Sequence, residues 1–275
     1  MYEIVKKREL AQGINEYVIA APMVAKNAKA GQFVILMTDE KGERAPFTLA
    51  DIEEGEITIL VQTAGKTTYK LAEMKEGENL YALVGPLGNA TDLSEYKEVL
   101  LVGGGIGSAV IYPQAKARKR EGKGADVVIG ARNKELIIYE EEFKKVSEQF
   151  VIMTDDGSYG EKGFVTEAVK KMMDRKKYDA VFAVGPLMMM KAVCKLTKEY
   201  GIKTIVSMNS IMVDGTGMCG GCRLTVDGKT KYACVDGPEF DGHLVDFDEA
   251  INRSKIYKED EHSCYMKYLE VANEG

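Results

Sequence analysis

Three regions of different character follow one another in the sequence, and together they predict the fold. It consists of an N-terminal antiparallel β-barrel, an α/β doubly wound parallel sheet, and a small C-terminal segment. Residues 1–94 hold short β-rich stretches between turns, whereas residues 95–207 alternate apolar strands with helices. Residues 208–275 begin glycine-rich and hold most of the five cysteines. With 275 residues and 45% hydrophobic content, the chain can bury one large core or two moderate ones.

The barrel strands are predicted from stretches rich in β-branched and aromatic residues. In order they are YEIVKKREL, NEYVIAAP, GQFVILMT, EITILVQTA and ENLYALVG. Glycine or charged residues separate several of these stretches, as expected for strands joined by short turns. A run of consecutive strands of this kind favours a small antiparallel barrel.

The middle region predicts a parallel sheet, because five apolar strands are separated by stretches long enough to form helices. The strands are EVLLVGG, ADVVIGA, FVIMT, DAVFAVG and KTIVSMN. The helices are residues 108–121, EEEFKKVSEQ, residues 164–175 and MMMKAVCKLTKEYG, whose methionines are expected in the core. This alternation is typical of a doubly wound α/β domain.

Charge and hydropathy exclude two classes of partner. The formal charge is −6 and no basic run exceeds KARKR at residues 116–120, which argues against nucleic-acid binding. We interpret that short run as the solvated end of a helix. No apolar run is long enough to span a bilayer, so no membrane association is expected. The opening MYEIVKKREL lacks the apolar region and cleavage site of a signal peptide, which predicts a cytoplasmic protein.

Four residues near the C-terminus have the spacing D-x4-C-x2-C-x11-C. They are Asp214, Cys219, Cys222 and Cys234. The spacing indicates an iron-sulfur ligand set in which a carboxylate replaces one cysteine, and the glycines between them let backbone amides turn toward bridging sulfides. Structural zinc is an alternative for a C-x2-C pair. A disulfide is the other, although a reducing compartment disfavours it.

The remaining cysteines are interpreted as buried structural thiols. Cys194 lies in a predicted helix, and Cys264, in the helical-looking stretch DEHSCYMKYLEVA, is the rival of Asp214 as fourth ligand. Between Cys222 and Cys234 the alternating stretch RLTVDGKTKYA predicts a hairpin with a turn at its Asp-Gly pair.

A glycine-rich turn follows the first strand of the middle region. Its residues are Gly103, Gly104, Gly105, Ile106 and Gly107. Glycines at a junction between strand and helix let a pyrophosphate approach the backbone and meet the positive end of the helix. Ser108 occupies the third glycine position of a strict G-x-G-x-x-G pattern, so a tight packing turn is the alternative.

Two other strand ends add candidate residues to a nucleotide-binding site at the glycine-rich turn. Gly185 and Pro186 follow the fourth strand and begin a helix. Asp155 and Asp156 follow FVIMT, where they can accept hydrogen bonds from ribose hydroxyls or merely cap a turn.

In their order along the chain, these segments resemble the ferredoxin-NADP reductase superfamily of flavin and nicotinamide modules. The resemblance implies that two barrel segments hold FAD and its phosphates. The residues are Arg44, Pro46, Phe47 and Thr48 of RAPFT, and Gly65, Lys66, Thr67 and Thr68 of GKTTYKL. Thr67 stands where a glycine is usual. An isolated arginine or threonine pair would be an ordinary surface feature, so the order of the segments carries the resemblance.

The cysteine segment narrows this resemblance. A flavin-reductase core followed by such a segment is similar to the electron-transfer subunit of dihydroorotate dehydrogenase, which holds FAD and a 2Fe-2S cluster. An aspartate with three cysteines is more similar to the small subunits of NADH-dependent ferredoxin:NADP oxidoreductases, also described as sulfide dehydrogenases. The resemblance implies that Asp214, Cys219, Cys222 and Cys234 ligate a 2Fe-2S cluster, and it implies no catalytic acid or base.

The implied function is hydride exchange between NAD(H) and FAD, with single electrons relayed through the cluster. The implied partner is a larger, NADPH-binding flavoprotein and iron-sulfur subunit, in a hetero-oligomer that bifurcates electrons and uses ferredoxin. Asp155 and Asp156 agree with NADH, because carboxylates would repel a 2′-phosphate. One alternative is the electron-transfer subunit of an NAD-dependent dihydroorotate dehydrogenase. The other is a non-enzymatic redox sensor or zinc-bound assembly module.

Overall fold

The computed structural model describes residues 2–273, with side chains through residue 268. The strands are β1 (Tyr2–Ala11), β2 (Ile14–Ala20), β3 (Phe33–Met37), β4 (Ala45–Glu53), β5 (Glu56–Gln62), β6 (Asn79–Leu80), β7 (Ala82–Leu87), β8 (Val99–Gly104), β9 (Asp126–Ala131), β10 (Phe150–Thr154), β11 (Glu161–Lys162), β12 (Ala180–Val184), β13 (Lys203–Ser207), β14 (Arg223–Val226), β15 (Lys229–Tyr232) and β16 (Glu239–Asp241). The helices are α1 (Pro22–Asn27), α2 (Lys66–Glu73), α3 (Gly107–Arg120), α4 (Glu140–Val146), α5 (Val165–Arg175), α6 (Leu187–Glu199), α7 (Phe247–Arg253) and α8 (Lys258–Asn273).

The first seven strands form one antiparallel sheet in the order β6-β1-β2-β5-β4-β3-β7. Its edge strands β6 and β7 are separated in the chain by Tyr81 alone, so the two edges come together and the sheet curls into the predicted barrel. All five predicted stretches form strands, the last of them divided into β6 and β7. The structure adds β4, whose apolar pattern Pro46 and Asp51 interrupt in the sequence.

The second sheet has the order β11-β10-β9-β8-β12-β13-β16 and is parallel up to β13, which confirms the predicted α/β region. From β8 the chain moves outward to β9 and β10, then returns to the other side of β8 as β12. The switch point of the sheet therefore lies between β8 and β12, where ligands bind beyond the carboxyl ends of the strands. In the methionine run of α6, Met190 is buried but Met188 is 65% exposed, so the run is only partly core.

Helix α3 fixes the α/β region against the barrel. The Nζ atom of Lys116 lies 2.6 Å from Asp51 Oδ2 on β4. Arg118 is 3% exposed, and its guanidinium donates to the carbonyls of Leu93, Tyr96 and Lys97 in the segment that connects the two sheets. The interpretation of residues 116–120 as a solvated helix end therefore holds for the exposed Lys119 and Arg120 but is wrong for Lys116 and Arg118, whose contacts join the regions.

The C-terminal segment contains the predicted hairpin, β14 with β15. Asp227 and Gly228 connect the strands with φ angles of 51° and 68°, as a type I′ turn requires. Cys194 is buried, as predicted, and burial raises the pKa of its thiol to about 12. Cys264, on α8, is only partly buried, so its interpretation as a buried thiol is wrong. None of the helices within residues 2–273 has the length and apolar content needed to cross a membrane.

Candidate functional site

The predicted metal ligands lie in the loop before β14 and at the end of the hairpin. Pairing of β14 with β15 brings Cys222 and Cys234 together, and their Sγ atoms are 3.3 Å apart. Both thiols are buried, and burial raises the pKa of Cys234 to about 12. Cys219 is exposed, with its Sγ accepting the Gly221 amide at 3.3 Å. The hairpin therefore supplies two buried donors and the loop supplies an accessible one.

Asp214 organises this loop through its carboxylate. Oδ1 accepts the Thr216 amide at 3.0 Å, and Oδ2 accepts the amides of Met218 and Cys219 at 3.0 and 2.9 Å. These bonds favour the ionised form and lower the pKa of Asp214. The Asp214 side chain next to Cys219 is thus favoured in its ionised form, which is the form that metal ligation needs.

The four donors come together in pairs. Cys222 and Cys234 form one pair, while Asp214 meets Cys219 through the backbone amide. Among the described side chains, those of residues 2–268, no three from His, Cys, Asp or Glu converge on one ion position. Zinc needs four donors around a single ion, whereas a 2Fe-2S cluster distributes its ligands over two irons. The pairing fits the two-iron centre better, and the rival ligand Cys264 lies on α8, which packs on α2 of the barrel.

The cysteine loop is held against the barrel. Arg44 donates from Nε to the Val213 carbonyl at 3.0 Å and from Nη2 to the Asp214 carbonyl at 3.1 Å. Gly215, with a φ of 75°, packs so closely that a Cβ atom there would lie 2.4 Å from Ile35 Cδ1 on β3. Arg44, predicted to pair with a FAD phosphate, therefore contacts the cysteine loop in this structure.

The predicted flavin segment RAPFT lies where the barrel opens. Residues 45–48 pair with β3 on one side, but the pairing of β4 with β5 begins only at Leu49. On the other side, the backbone of Pro46, Phe47 and Thr48 has an open edge, and the three side chains are partly buried. An open strand edge presents backbone groups that a flavin ring can use.

The second predicted flavin segment begins α2 directly after β5. Thr68 Oγ1 accepts the Gly65 amide at 2.9 Å, and Thr67 Oγ1 donates to Glu43 Oε2 at 2.8 Å. Both hydroxyls, which were expected to contact phosphate oxygens, are therefore used within the protein. The groups suited to a phosphate are instead the backbone amides of the first turn, which starts at Lys66.

The glycine turn lies at the switch point of the second sheet. β8 ends at Gly104, and Gly105, with a φ of 55°, turns the chain toward α3 with open space where its Cβ would be. Gly107 is needed for packing, because a Cβ there would lie 2.4 Å from the Val184 carbonyl oxygen. The two sequence interpretations thus apply to different glycines. The first turn of α3 has no acidic residue and Ile106 provides no cap, which leaves this end suited to an anion.

The other predicted nicotinamide residues lie at neighbouring strand ends. Gly185 and Pro186 follow β12, the neighbour of β8, and lead into α6. Asp156 accepts the amide and the hydroxyl of Ser158 at 2.9 and 2.7 Å, which lower its pKa and make it a turn cap. Asp155 is exposed at the end of β10. Of the two carboxylates, only Asp156 is therefore used as a turn cap, and Asp155 is exposed.

Asn133 is a candidate that the sequence analysis missed. It follows β9, and its Oδ1 is buried without a hydrogen-bond partner, the one such side-chain atom found in the described part of the chain. Buried polar atoms are nearly always paired, so this oxygen is a candidate acceptor for a bound ligand. The polar stretch ARNK directly after an apolar strand is the signal that could have identified it.

Comparisons with known proteins agree with this geometry. The family described as "Oxidoreductase NAD-binding domain" matches residues 101–195, and "Iron-sulfur cluster binding domain of dihydroorotate dehydrogenase B" matches residues 209–246. The dihydroorotate dehydrogenase B (NAD(+)), electron transfer subunit homolog of Thermotoga maritima is 48% identical over 99% of this chain and 97% of its own. The corresponding electron transfer subunit of Bacillus pumilus is 34% identical over 88% of this chain and 96% of its own.

Solved structures give a similar result. One solved structure is 47% identical to this chain, with a TM-score of 0.92 over 98% of both chains. It is described as "Insights into flavin-based electron bifurcation via the NADH-dependent reduced ferredoxin-NADP oxidoreductase structure". Phthalate dioxygenase reductase matches 82% of this chain and 85% of its own, with 17% identity and a TM-score of 0.63, which shows the fold alone.

Proposed function

We propose a function from one premise: this chain belongs to the family of electron-transfer subunits of dihydroorotate dehydrogenase B and their homologues, oxidoreductases with a ferredoxin-reductase fold. Within it, the chain is the electron-transfer subunit of a flavin-based, electron-bifurcating NADH-dependent ferredoxin:NADP oxidoreductase. It exchanges hydride between NAD(H) and FAD and passes single electrons to a partner flavoprotein subunit. Residues 1–94, 95–207 and 208–275 are its FAD, NAD(H) and cluster regions.

FAD, NAD(H) and a 2Fe-2S cluster are the cofactors. When bound, they supply hydride acceptance and the conversion of an electron pair into single electrons, chemistry that no side chain here provides. The protein contributes binding and orientation. The open edge of β4 at Pro46, Phe47 and Thr48 holds the flavin ring, and the first turn of α2 at Lys66 holds its phosphates.

The nucleotide side is built from strand ends around the switch point. The start of α3 at Gly105 receives the pyrophosphate, Asp155 accepts the ribose hydroxyls, and Asn133 gains the partner that its buried oxygen lacks. A carboxylate at Asp155 disfavours a 2′-phosphate, which makes NADH the substrate.

The cluster side is built from Asp214, Cys219, Cys222 and Cys234. Because Arg44 just before β4 and Gly215 against Ile35 of β3 hold this loop on the barrel, the ligands are kept near the flavin segment. Cys219 is exposed, so the loop would present a bound cluster to a larger NADPH-binding partner that also serves ferredoxin.

The observation that carries this proposal is the likeness over the whole chain to the NADH-dependent reduced ferredoxin-NADP oxidoreductase structure, at a TM-score of 0.92. A second candidate is the electron-transfer subunit of an NAD-dependent dihydroorotate dehydrogenase, which the names of relatives such as that of Thermotoga maritima favour. Asp214 counts against the second candidate, since four cysteines are expected there.

The test is an anaerobic purification of the tagged full chain from its own cells, with the co-purifying subunit identified by peptide mass. A large flavoprotein with ferredoxin-like cysteine runs supports the bifurcating enzyme, and the purified complex should then reduce NADP from NADH and reduced ferredoxin together. A dihydroorotate dehydrogenase barrel with orotate-forming activity would overturn the first proposal in favour of the second. A colourless chain without flavin or iron would overturn both.

A further inference from the structure

Three arginines from different elements surround the cysteine loop. Arg44, just before β4, donates to Val213 and Asp214; Arg223, on β14, donates to the Gly220 carbonyl at 3.1 Å; Arg253, at the end of α7, donates to the Gly221 carbonyl at 3.2 Å. All the acceptors are backbone carbonyls within the stretch that bears Asp214, Cys219 and Cys222. Arg44 and Arg253 come from elements far from the loop in sequence, whereas Arg223 directly follows Cys222. Together they bring three positive charges to one short loop.

None of these three guanidinium groups forms an ion pair with a carboxylate of residues 2–268, whose side chains the structure describes. Arg8 and Arg120 do pair with glutamates, but other arginines of the chain, Arg175 among them, form no such pair among these residues either. What distinguishes the three is that all of them donate to one loop in a chain with a net charge of −6. Loop carbonyls carry only partial negative charge, so they satisfy the hydrogen bonds of an arginine without neutralising it. No carboxylate among the described side chains therefore lies within ion-pair distance to serve as the countercharge of the three groups.

The donor set explains what that countercharge is. Three thiolates and a carboxylate, with two bridging sulfides, outweigh the positive charge of two ferric ions, so the liganded cluster is an anion. Each one-electron reduction makes it more negative by one charge. Nearby positive groups stabilise the reduced state more than the oxidised state, because net charge and surroundings set the reduction potential of such clusters.

We propose that Arg44, Arg223 and Arg253 act as positioning residues that supply the countercharge of the cluster and raise its reduction potential. This proposal rests on the cluster ligands of the proposed function. It adds a role for Arg44 beyond the flavin segment: the same side chain ties the strand that bears that segment to the loop that bears Asp214.

The experiment is an EPR-monitored redox titration of the anaerobically purified full chain carrying Arg44→Gln, Arg223→Gln or Arg253→Gln. A unit charge roughly 10 Å away, at the effective dielectric of a protein surface, changes a one-electron equilibrium by about tenfold. That corresponds to a fall in midpoint potential of about 59 mV for each variant. Arg175→Gln, at the end of α5 in the α/β region, is the matched control and should leave the potential unchanged.

Lysine variants separate charge from geometry. Arg→Lys at the same positions keeps the charge and should keep most of the potential, even where the glutamine variant fails to assemble a cluster. Equal midpoint potentials in the wild type and the glutamine variants would overturn the inference. So would an equal fall in midpoint potential, or an equal loss of the cluster, in the lysine and the glutamine variants, because charge would then not be the cause. A wild-type chain without iron or signal would instead refute the proposed function itself.

Discussion

Asp214 is the one proposed ligand that is not a cysteine, and its carboxylate already accepts three loop amides. We expect Asp214→Ala to abolish or change the paramagnetic signal of the reduced chain, because one of four donors is lost. FAD and NADH binding should remain, since neither predicted site includes Asp214. EPR, iron content and flavin absorbance of the purified chain measure these effects.

Asp236→Ala is the matched control for this substitution. Asp236 also caps a loop amide, that of Tyr232 at 2.7 Å, and lies two residues from Cys234 without being a proposed ligand. A similar loss of signal in both variants would point to general damage of the loop. An unchanged signal in Asp214→Ala would show that another residue completes the ligand set.

The neighbouring carboxylates Asp155 and Asp156 should differ in function, because only Asp156 is used as a turn cap. We expect Asp155→Asn to raise the KM for NADH by about tenfold or more, since hydrogen bonds from ribose to a charged acceptor are weakened. Asp156→Asn should have a much smaller effect on KM. Steady-state reduction of ferricyanide by NADH and by NADPH measures both, and equal effects of the two variants would contradict the assignment.

The types of residue and their spacing predicted the kind of site better than they predicted which side chains are buried. The spacing of Asp214 and the cysteines identified a metal-binding segment, yet nothing in KARKR distinguishes the buried Arg118 from the exposed Lys119, because burial depends on the connecting segment that packs over it. In the same way, Met188 and Met190 differ only in the face of α6 that they occupy.

At the scale of elements, strands with uniform apolar character were predictable and strands shaped by the site were not. The interior strands of the parallel sheet, such as β8 and β12, are buried on both faces and read as continuous apolar runs. β4 contains Pro46 and changes its paired strand from β3 to β5 between Thr48 and Leu49, so its sequence lacks a regular alternation. The order of strands, and hence the switch point, depends on long-range pairing that local sequence does not contain.

Helix α8 packs on α2, the helix that begins at the predicted FAD phosphate site. The rings of Tyr265 and Tyr69 stack at 4.6 Å between centroids, and Tyr268 Oη donates to Glu73 at 2.6 Å. We expect Tyr265→Ala to release FAD faster, by about 2- to 10-fold, because an aromatic pair contributes about 0.5–1.5 kcal/mol beyond its burial.

Flavin fluorescence after dilution of the holoprotein measures this release. Tyr265→Phe keeps the stacked ring and should retain FAD like the wild type, and so should Tyr257→Ala, an exposed tyrosine just before α8. Release at the wild-type rate from Tyr265→Ala would show that α8 does not support the flavin site.

At the scale of the whole molecule, the three regions are joined by polar contacts as well as by apolar packing. Glu239, on β16 of the cluster region, lies at their junction. It accepts a hydrogen bond from the hydroxyl of Thr91 in the connecting segment. The same hydroxyl accepts a hydrogen bond from Gln114 Nε2 of α3 at 2.6 Å. Burial raises the pKa of Glu239 from 4.5 to about 7. The ionisation of one carboxyl group is therefore coupled to the packing of all three regions.

The sign of this coupling follows from proton binding. Between pH 4.5 and about 7 the folded chain holds a proton on Glu239 that the unfolded chain has lost, so the free energy of unfolding falls as pH rises through this window. Glu239→Gln, which mimics the protonated group, should match the wild type near pH 5 and exceed its Tm near pH 8 by at least about 2 °C. Comparing the two chains at each pH cancels the titration of all other groups.

Asp241→Asn on the same strand is the control with the opposite sign. Burial opposes ionisation of Asp241, but the bond from Lys203 at 2.6 Å, the bond from the His243 amide and the nearby positive charge together lower the pKa. The carboxylate therefore stabilises the fold above its unfolded pKa. Asp241→Asn should therefore fall below the wild-type Tm near pH 8, where Glu239→Gln rises above it. Parallel Tm curves for wild type and Glu239→Gln from pH 5 to 8 would mean that Glu239 ionises in the folded chain as it does in the unfolded one, and that the junction tolerates the charge.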